Sequence, residues 1–405
     1  MSEGKQYIPD QFAGREFKAA SVTQAKVSTK LYKTSSSDPA ASDDTGLGYA
    51  VGTIWTNTTS GQVFICTDAS AENSVWRGQE GDNINLVQHA QGSSDAYTWG
   101  GDGGPSMSPR FRDNIEKYSL SSDGNATDSG EFNQVIRNFR AGKYGTTLFS
   151  LGGQRASNPA PSTSVVDTID SFPTTAPHPV SDHGELTGGT FQYGGANDNS
   201  THTFVHGGEW GGVQYVDTIQ KVGKASTANS TDVGETASDE NGAEGCPDSI
   251  GSQGFQTAGR TQPGSTYRTD IQKYSMASDG DGSDTGDELS QAYTGHATAS
   301  DESHGFAYTG YIGPPGGVHG QDDIDRFAFS SPYSGSDVGE MTNNPYSDSS
   351  GGQMSTTHGY KTGGYNPAGE SFIDVIDKFA YASPYASEDV GDLTESKAGT
   401  WGASV

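Results

Sequence analysis

The chain reads as an all-β protein built from many short strands, and three observations carry that reading. It holds 57 Gly and 17 Pro among 405 residues, about 18% against the roughly 12% of an average protein. Only 31% of it is apolar, too little for the long apolar stripes of a helical bundle or a doubly wound sheet. A motif also recurs about every fifty residues, the mark of stacked supersecondary units. An aromatic content of 10%, with few Lys and Glu, sets the chain apart from a disordered one.

The repeat has three landmarks. The first is an Ile, a polar residue, usually a Lys or Arg, then usually an aromatic. It occurs at Ile115-Glu116-Lys117-Tyr118, Ile169-Asp170-Ser171-Phe172, Ile219-Gln220-Lys221-Val222, Ile271-Gln272-Lys273-Tyr274, Ile324-Asp325-Arg326-Phe327 and Ile376-Asp377-Lys378-Phe379. Successive Ile residues lie 54, 50, 52, 53 and 52 positions apart. The second is an upstream aromatic that leads into glycine: Tyr97 with Gly100-Gly101, Phe149 with Gly152-Gly153, Phe204 with Gly207-Gly208, and Tyr360 with Gly363-Gly364. In two repeats the doublet is reduced to Ala258-Gly259 and Thr309-Gly310. The third is a downstream Asp-x-Gly-acid element, as in Asp128-Ser129-Gly130-Glu131, Asp232-Val233-Gly234-Glu235 and Asp389-Val390-Gly391-Asp392.

Each unit is expected to be a small antiparallel sheet. The aromatic strand ends at glycines that permit positive φ. The Ile strand carries apolar residues on both faces, as when both contact neighbouring sheets. The Asp-x-Gly turn should then start a short outer strand. One such sheet cannot bury its faces alone, so the units must stack, and a ring of stacks leaves no exposed ends. The first unit lacks a preceding inner strand, and Ala398–Val405, after the sixth acidic element, is placed to supply it.

With its glycine doublet after an aromatic strand, the pattern resembles kelch-type β-propeller blades. The pairing of Ile-Asp-Lys-Phe with Asp-Val-Gly-Asp-Leu is similar to kelch-like repeats in structural and tail-fibre-type virion proteins of marine bacteriophages. The resemblance covers roughly residues 86–405. It implies a six-bladed propeller over 86–405, closed by the C-terminal strand. It departs from the family in lacking the usual kelch Trp and in having Val222 for the aromatic.

The front of the chain differs. Residues 1–45 hold six basic and six acidic residues, whereas 86–405 hold 16 basic and 41 acidic. A neutral tip and an acidic body should meet different surroundings. Residues 1–45 read as an extended attachment arm, with 33–46 as linker. Within residues 46–85, Gly52–Asn57 and Gln62–Thr67 form a hairpin and Val75–Arg77 a third strand. This small β-module resembles those near the N-termini of phage fibre proteins; an extra strand pair packed on the propeller is the plainer alternative.

Charge and motifs exclude several classes. A net charge of −28 opposes nucleic-acid binding. No run approaches the ~18 apolar residues of a membrane helix, and the first 30 residues contain no apolar core of a signal peptide. Cys66 and Cys246, 180 residues apart, suggest neither a disulfide framework nor a zinc site. His202, His304 and His358 occupy one repeat position, which argues for scaffold. Asp279, Asp281 and Asp284 begin like a calcium loop, but position 6 is Asp284 rather than Gly and position 12 is Ser290 rather than Glu. An Asx turn in every repeat explains them more simply, so no cofactor is expected and Ca²⁺ is the weak alternative. No catalytic motif stands out, and a glycosidase carboxylate pair is left unsupported.

Recognition is expected in the loops after the glycine doublets, which vary while the strands repeat. They carry Arg110, Phe111, Arg112, Arg155, Trp210, Tyr267, Tyr311, His319 and Tyr365, a set suited to a cell-surface glycan. Packing of loops against one another is the alternative role. The expectation is a non-enzymatic virion protein. It would attach to other virion proteins through residues 1–85, in multiple copies, with a homo-oligomer as one form, and adhere to a host glycan or protein. A structural decoration protein on capsid or tail is the alternative reading, and a carbohydrate-active enzyme the third.

Overall fold

A computed structural model describes residues 32–40, 42–43, 45–58, 62–70, 74–78, 91–104, 110–156, 163–188, 191–210, 214–248, 252–262, 266–312, 319–342, 352–366 and 371–405. The attachment arm lies outside the described residues as far as residue 31. The chain divides into two units, residues 1–87 and 88–405. Both are all-β: among the described residues the helical element is a 3-10 turn at Thr45–Leu47.

In the first unit, Ile54–Asn57, Val63–Asp68 and Val75–Gly78 form an antiparallel meander. Alternation sends Trp55, Phe64, Cys66 and Trp76 inward, where they pack with Tyr49 and Ala69. The Tyr49, Trp55 and Trp76 rings lie 5.5–5.7 Å apart in tilted and edge-on pairs. The expected linker over 33–46 is corrected at its start: Tyr32–Ser35 is a strand, paired parallel with Ile54–Asn57. The open edge of Ile54–Asn57 satisfies the backbone of this segment. The segment beyond is then tied by Trp55 Nε1 to the Ser37 carbonyl (2.9 Å) and by Asn57 Nδ2 to Asp38 Oδ1 (2.6 Å).

In the second unit each repeat from the second to the sixth is an antiparallel sheet with four strands in sequence order, to which the fourth adds Glu240–Asn241 as a fifth. The second runs Arg140–Tyr144, Thr147–Leu151, Thr168–Pro173, Ser181–Glu185, and the third Gly195–Asp198, His202–His206, Thr218–Gly223, Thr231–Glu235. The fourth runs Glu244–Pro247, Gln253–Thr261, Thr266–Ser275, Ser283–Tyr293, and the fifth Ala297–Ser300, His304–Ile312, His319–Ala328, Ser336–Glu340. The sixth is Gly352–Met354, His358–Asn366, Ser371–Ala380, Ser387–Asp392. The first sheet, Asp95–Trp99, Asn114–Ser119 and Thr127–Glu131, takes its fourth strand from Trp401–Ser404, with Trp401 opposite Trp99 and Ser404 opposite Ala96.

The Asp-x-Gly element is not a turn ahead of the outer strand. It is a β-bulge inside it. Ile169 faces Gly184 and Asp170 faces Asp182, leaving His183 as the extra residue; Ile115, Ile219, Ile324 and Ile376 repeat the arrangement. The Asp carboxylate accepts from the Gly N–H two residues on, at 2.8–3.2 Å in Asp128, Asp232, Asp284, Asp337 and Asp389. Ile and the polar residue after it point to opposite faces of the sheet, and both are buried because each face packs on a neighbouring sheet. Ile115 with Glu116, Ile324 with Asp325 and Ile376 with Asp377 are fully enclosed.

These buried polar side chains clasp the preceding sheet. Asp325 accepts from the Ser290 N–H (2.9 Å) and hydroxyl, Asp377 from the Thr342 hydroxyl, and Gln272 Oε1 from the Ala237 N–H (2.7 Å). Glu116 of the first sheet accepts from the Thr394 N–H and hydroxyl, which follow the sixth sheet. A backbone bond runs beside the clasp: Glu185, Glu235 and Glu288 carbonyls accept from Ser230, Gly282 and Gly335, and that of Asp392 from Ala126 (2.7–2.9 Å).

The core lies between sheets rather than within them. Aromatic clusters join the first sheet to the second around Trp99, Phe139 and Phe172, and the fifth to the sixth around Phe306, Tyr308 and Phe379. Tyr118 and Ala126 of the first sheet pack with Tyr360 and Ile376 of the sixth. The innermost strands touch in succession, and Trp401–Ser404 touches both Gly352–Met354 and Arg140–Tyr144. All six line one narrow cavity of about 80 Å³.

Candidate binding cavity at the loop ends

The glycine doublets shape the loop ends of the sheets. Gly100, Gly207 and Gly363 adopt φ of +59° to +65° and press against the loop leading into the next sheet, at Ile136, Glu240 and Lys397. The reduced doublets keep this conformation without the glycine: Ala258 and Thr309 both have φ +53°. Nearer the axis, left-handed residues precede the innermost strands at Asn138, Tyr193, Gly242, Gly295 and Gly399. They are bonded to one another, Gly242 N–H to the Tyr193 carbonyl, Gly295 N–H to that of Gly242 and Asn138 N–H to that of Gly399, at 2.8–3.1 Å.

Beside this belt lies a cavity of about 170 Å³, lined by Arg140, Tyr193, Asn241, Gly242, Arg260, Thr294, Gly295 and Tyr311. Its two arginines differ. Every nitrogen of Arg140 is engaged: its guanidinium donates to the Gly194 carbonyl, to the Phe139 carbonyl at 2.8 Å and to Glu244 at 2.9 Å, and stacks 3.9 Å from the Trp401 ring centroid. Burial raises the Glu244 pKa, opposed by the Arg140 charge. Arg260 leans over Tyr215 at 5.6 Å, and its Nη2 reaches Asn241 Oδ1 at 3.4 Å. Its buried Nε has no acceptor among the described residues. The Asn241 amide is set by Glu209 Oε2, 2.8 Å from Nδ2, and Glu209, its pKa raised by burial, lies behind it. Tyr311 is buried against Tyr267 in an edge-on pair at 6.0 Å.

The residues singled out from sequence fall into separate groups. Tyr311 lines the cavity, and Tyr267 packs behind it. Arg110 pairs with Asp102 at 2.8 Å, and Arg137 with the same carboxylate; both cations flank the Phe111 ring at 5.3 and 4.6 Å. Arg112 is paired with Glu395 at 2.9 Å and Arg155 with Asp170. These three arginines are therefore engaged within the chain. Trp210 packs on the core around Phe149, Leu151 and Val205, and Tyr365 lies edge-on to Phe372 at 5.3 Å. His319 opens a strand opposite Ile312. The tips of these loops, at 105–109, 157–162, 211–213, 263–265, 313–318 and 367–370, lie outside the described residues.

His202, His304 and His358 each open a strand, with Nδ1 2.7–2.8 Å from the hydroxyl of the preceding residue. Asp279, Asp281 and Asp284 engage separate partners: Lys221, the Glu235 N–H and the Gly286 N–H. No group of three or more metal-ligating residues occurs among the described residues.

Arg260 was missed because it was not read in register. The residues directly after the doublets are Asp102, Gln154, Glu209, Arg260, Tyr311 and Tyr365. Arg260 and Tyr311 thus occupy one repeat position, and that comparison would have found both. Tyr193, Asn241 and Arg140 carry no such sequence signal.

No protein-family model and no curated protein sequence matches the chain. Among solved structures it is similar to one titled "Structure of YjhT", with 10% sequence identity and a TM-score of 0.52, over 65% of this chain and 86% of that one. At that identity the likeness is one of fold alone. The chain is an all-β protein of several small sheets with a YjhT-like β fold.

Proposed function

We propose that residues 88–405 form a closed six-bladed, kelch-like propeller, and that it serves as the non-catalytic adhesion module of a virion appendage recognising a host-surface glycan. Closure is supported by the Trp401–Asp95 strand pair, the Glu116–Thr394 clasp and the Tyr118–Tyr360 cluster, which repeat between the last and first sheets what joins the others. The observation that carries recognition is the loop-end cavity. It joins an incompletely bonded guanidinium to the tyrosine side chains Tyr193 and Tyr311, the two kinds of group that grip sugars. Virion attachment through residues 1–85 rests on the resemblance of the repeats and the module to phage proteins. The test is competition for adsorption. Soluble protein multimerised on a bead should block particle adsorption to host cells far better than monomer, because avidity multiplies weak contacts by roughly 10²–10⁴. Adsorption unaffected by the multimer overturns the adhesion reading.

A further inference from the structure

The chain carries 51 acidic and 23 basic residues, so carboxylate partners for arginine abound. At the loop ends Arg110, Arg112, Arg137, Arg140, Arg155 and Arg268 all have one. Arg260 has none within ion-pair distance among the described residues, and its Nε faces no acceptor. Its neighbours are a long bond to Asn241, the Tyr267 hydroxyl and the more distant charge of Glu209, so the guanidinium keeps unspent donors on a cavity wall.

We propose that this cavity binds a single carboxylated sugar ring, a uronate, with its carboxylate on Arg260 and its ring against Tyr311. The inference rests on the adhesion reading and names its ligand class. A planar fork with unspent donors matches a carboxylate bidentately. Each guanidinium nitrogen of Arg140 already has an acceptor, and its charge is shared with Glu244. The edge-on Tyr267 contact holds the Tyr311 ring in place, and Gly242 and Gly295 keep the floor free of side chains. Gly242 is constrained to stay so, since its φ is +70° and a Cβ would strike the Thr294 hydroxyl. At about 170 Å³ the cavity falls below the roughly 300–1,000 Å³ of sites for drug-sized ligands. One ring fits, and a longer saccharide must extend out of the cavity.

The test compares methyl galacturonoside with methyl galactoside, which differ only in carrying a carboxylate or a hydroxymethyl group at C6. Calorimetric or NMR titration of the full chain should show the uronoside binding about 10-fold or more tightly than the galactoside. Arg260→Gln should erase that preference and leave galactoside affinity unchanged. Arg260→Lys, which keeps charge but loses the fork, should retain part of it. Arg326→Gln, at a residue stacked on Tyr385, should change nothing, and unchanged melting temperatures control for folding. Equal affinity for the two sugars overturns the uronate assignment while leaving glycan adhesion standing. Failure of both to bind, while multimer still competes for adsorption, also overturns it and moves recognition elsewhere. Uronoside binding without competition for adsorption supports the assignment and overturns the adhesion reading.

Discussion

The outermost and innermost strands of the repeats follow different rules. Along the outer strands one device recurs: an Asp-x-Gly bulge, an Asp carboxylate on the Gly N–H, and a carbonyl bonded to the next sheet. Along the inner strands almost nothing recurs. Arg140 and Lys143 lie on one, Asp198 on the next, Glu244 on the third, while Ala297–Ser300 carries no charge. Lys143 donates to the Gln91 and Ser404 carbonyls, and burial lowers its pKa to about 8. Lys224 reaches Asp198 at 2.9 Å, also enclosed. The seams between sheets thus rest on repeated short-range bonds, and the inner strands are left free to differ in every repeat. The cavity proposed for recognition sits where repetition is weakest.

The largest test breaks the seam between last and first sheets. Deleting Trp401–Val405 removes the strand on Asp95–Trp99, the ring under Arg140 and an acceptor of Lys143. Cooperative unfolding of the second unit should be lost and the exposed strand edges should aggregate. A monodisperse truncation with unchanged melting temperature would falsify the closed arrangement.

Next in size is the clasp at that seam, where Glu116 and Lys397 form an ion pair with both side chains fully buried. Glu116→Ala strands the ammonium and should cost about 3–5 kcal/mol in denaturant unfolding. Combining Glu116→Gln with Lys397→Met should restore much of that, since neither partner is then left charged. If the double variant is as unstable as the single one, the seam depends on the charges themselves.

A buried carboxylate of the fourth sheet predicts a pH dependence. Burial, then repulsion from Asp270, raises the Glu240 pKa to about 8, against hydrogen bonds from Gln256 and Ser238 and the charge of Arg268. The folded state therefore holds this proton where the unfolded chain has released it. The Glu240 contribution to stability is full below about pH 4.5 and falls as pH rises toward 8. Glu240→Gln, which keeps a hydrogen-bonding side chain, should flatten the melting temperature across that window. An identical slope in the variant would mean that Glu240 is ionised when folded.

The smallest effect concerns the doublets. Thr309 adopts φ +53°, an unusual conformation for a β-branched residue, and its buried hydroxyl has no partner among the described residues. Thr309→Gly should stabilise by about 0.5–1 kcal/mol, the relieved strain exceeding the added freedom of the unfolded chain. Gly363→Thr, at the same repeat position, should destabilise, since a Cβ there meets the Lys397 carbonyl.

The six-fold beat, the strands and the strand supplied by residues 398–405 were legible in the sequence, because strand pairing recurs with the repeat; the glycines end the aromatic strand in the first three repeats only, and Gln253–Thr261, His304–Ile312 and His358–Asn366 run through them with a shift of register. The bulge was misread as a turn, since Asp-x-Gly suits either and only the partner strand selects between them. Tyr32–Ser35 was read as linker for a similar reason: four polar or aromatic residues become a strand when an open edge lies beside them. The ion pairs of the axis and the Arg260 cavity belong to tertiary structure alone. Arg140 meets Glu244 across 104 residues and Lys143 meets Ser404 across 261, each a one-time contact with no period to betray it. Burial makes such pairs strong or costly, and burial is a property of the assembled sheets.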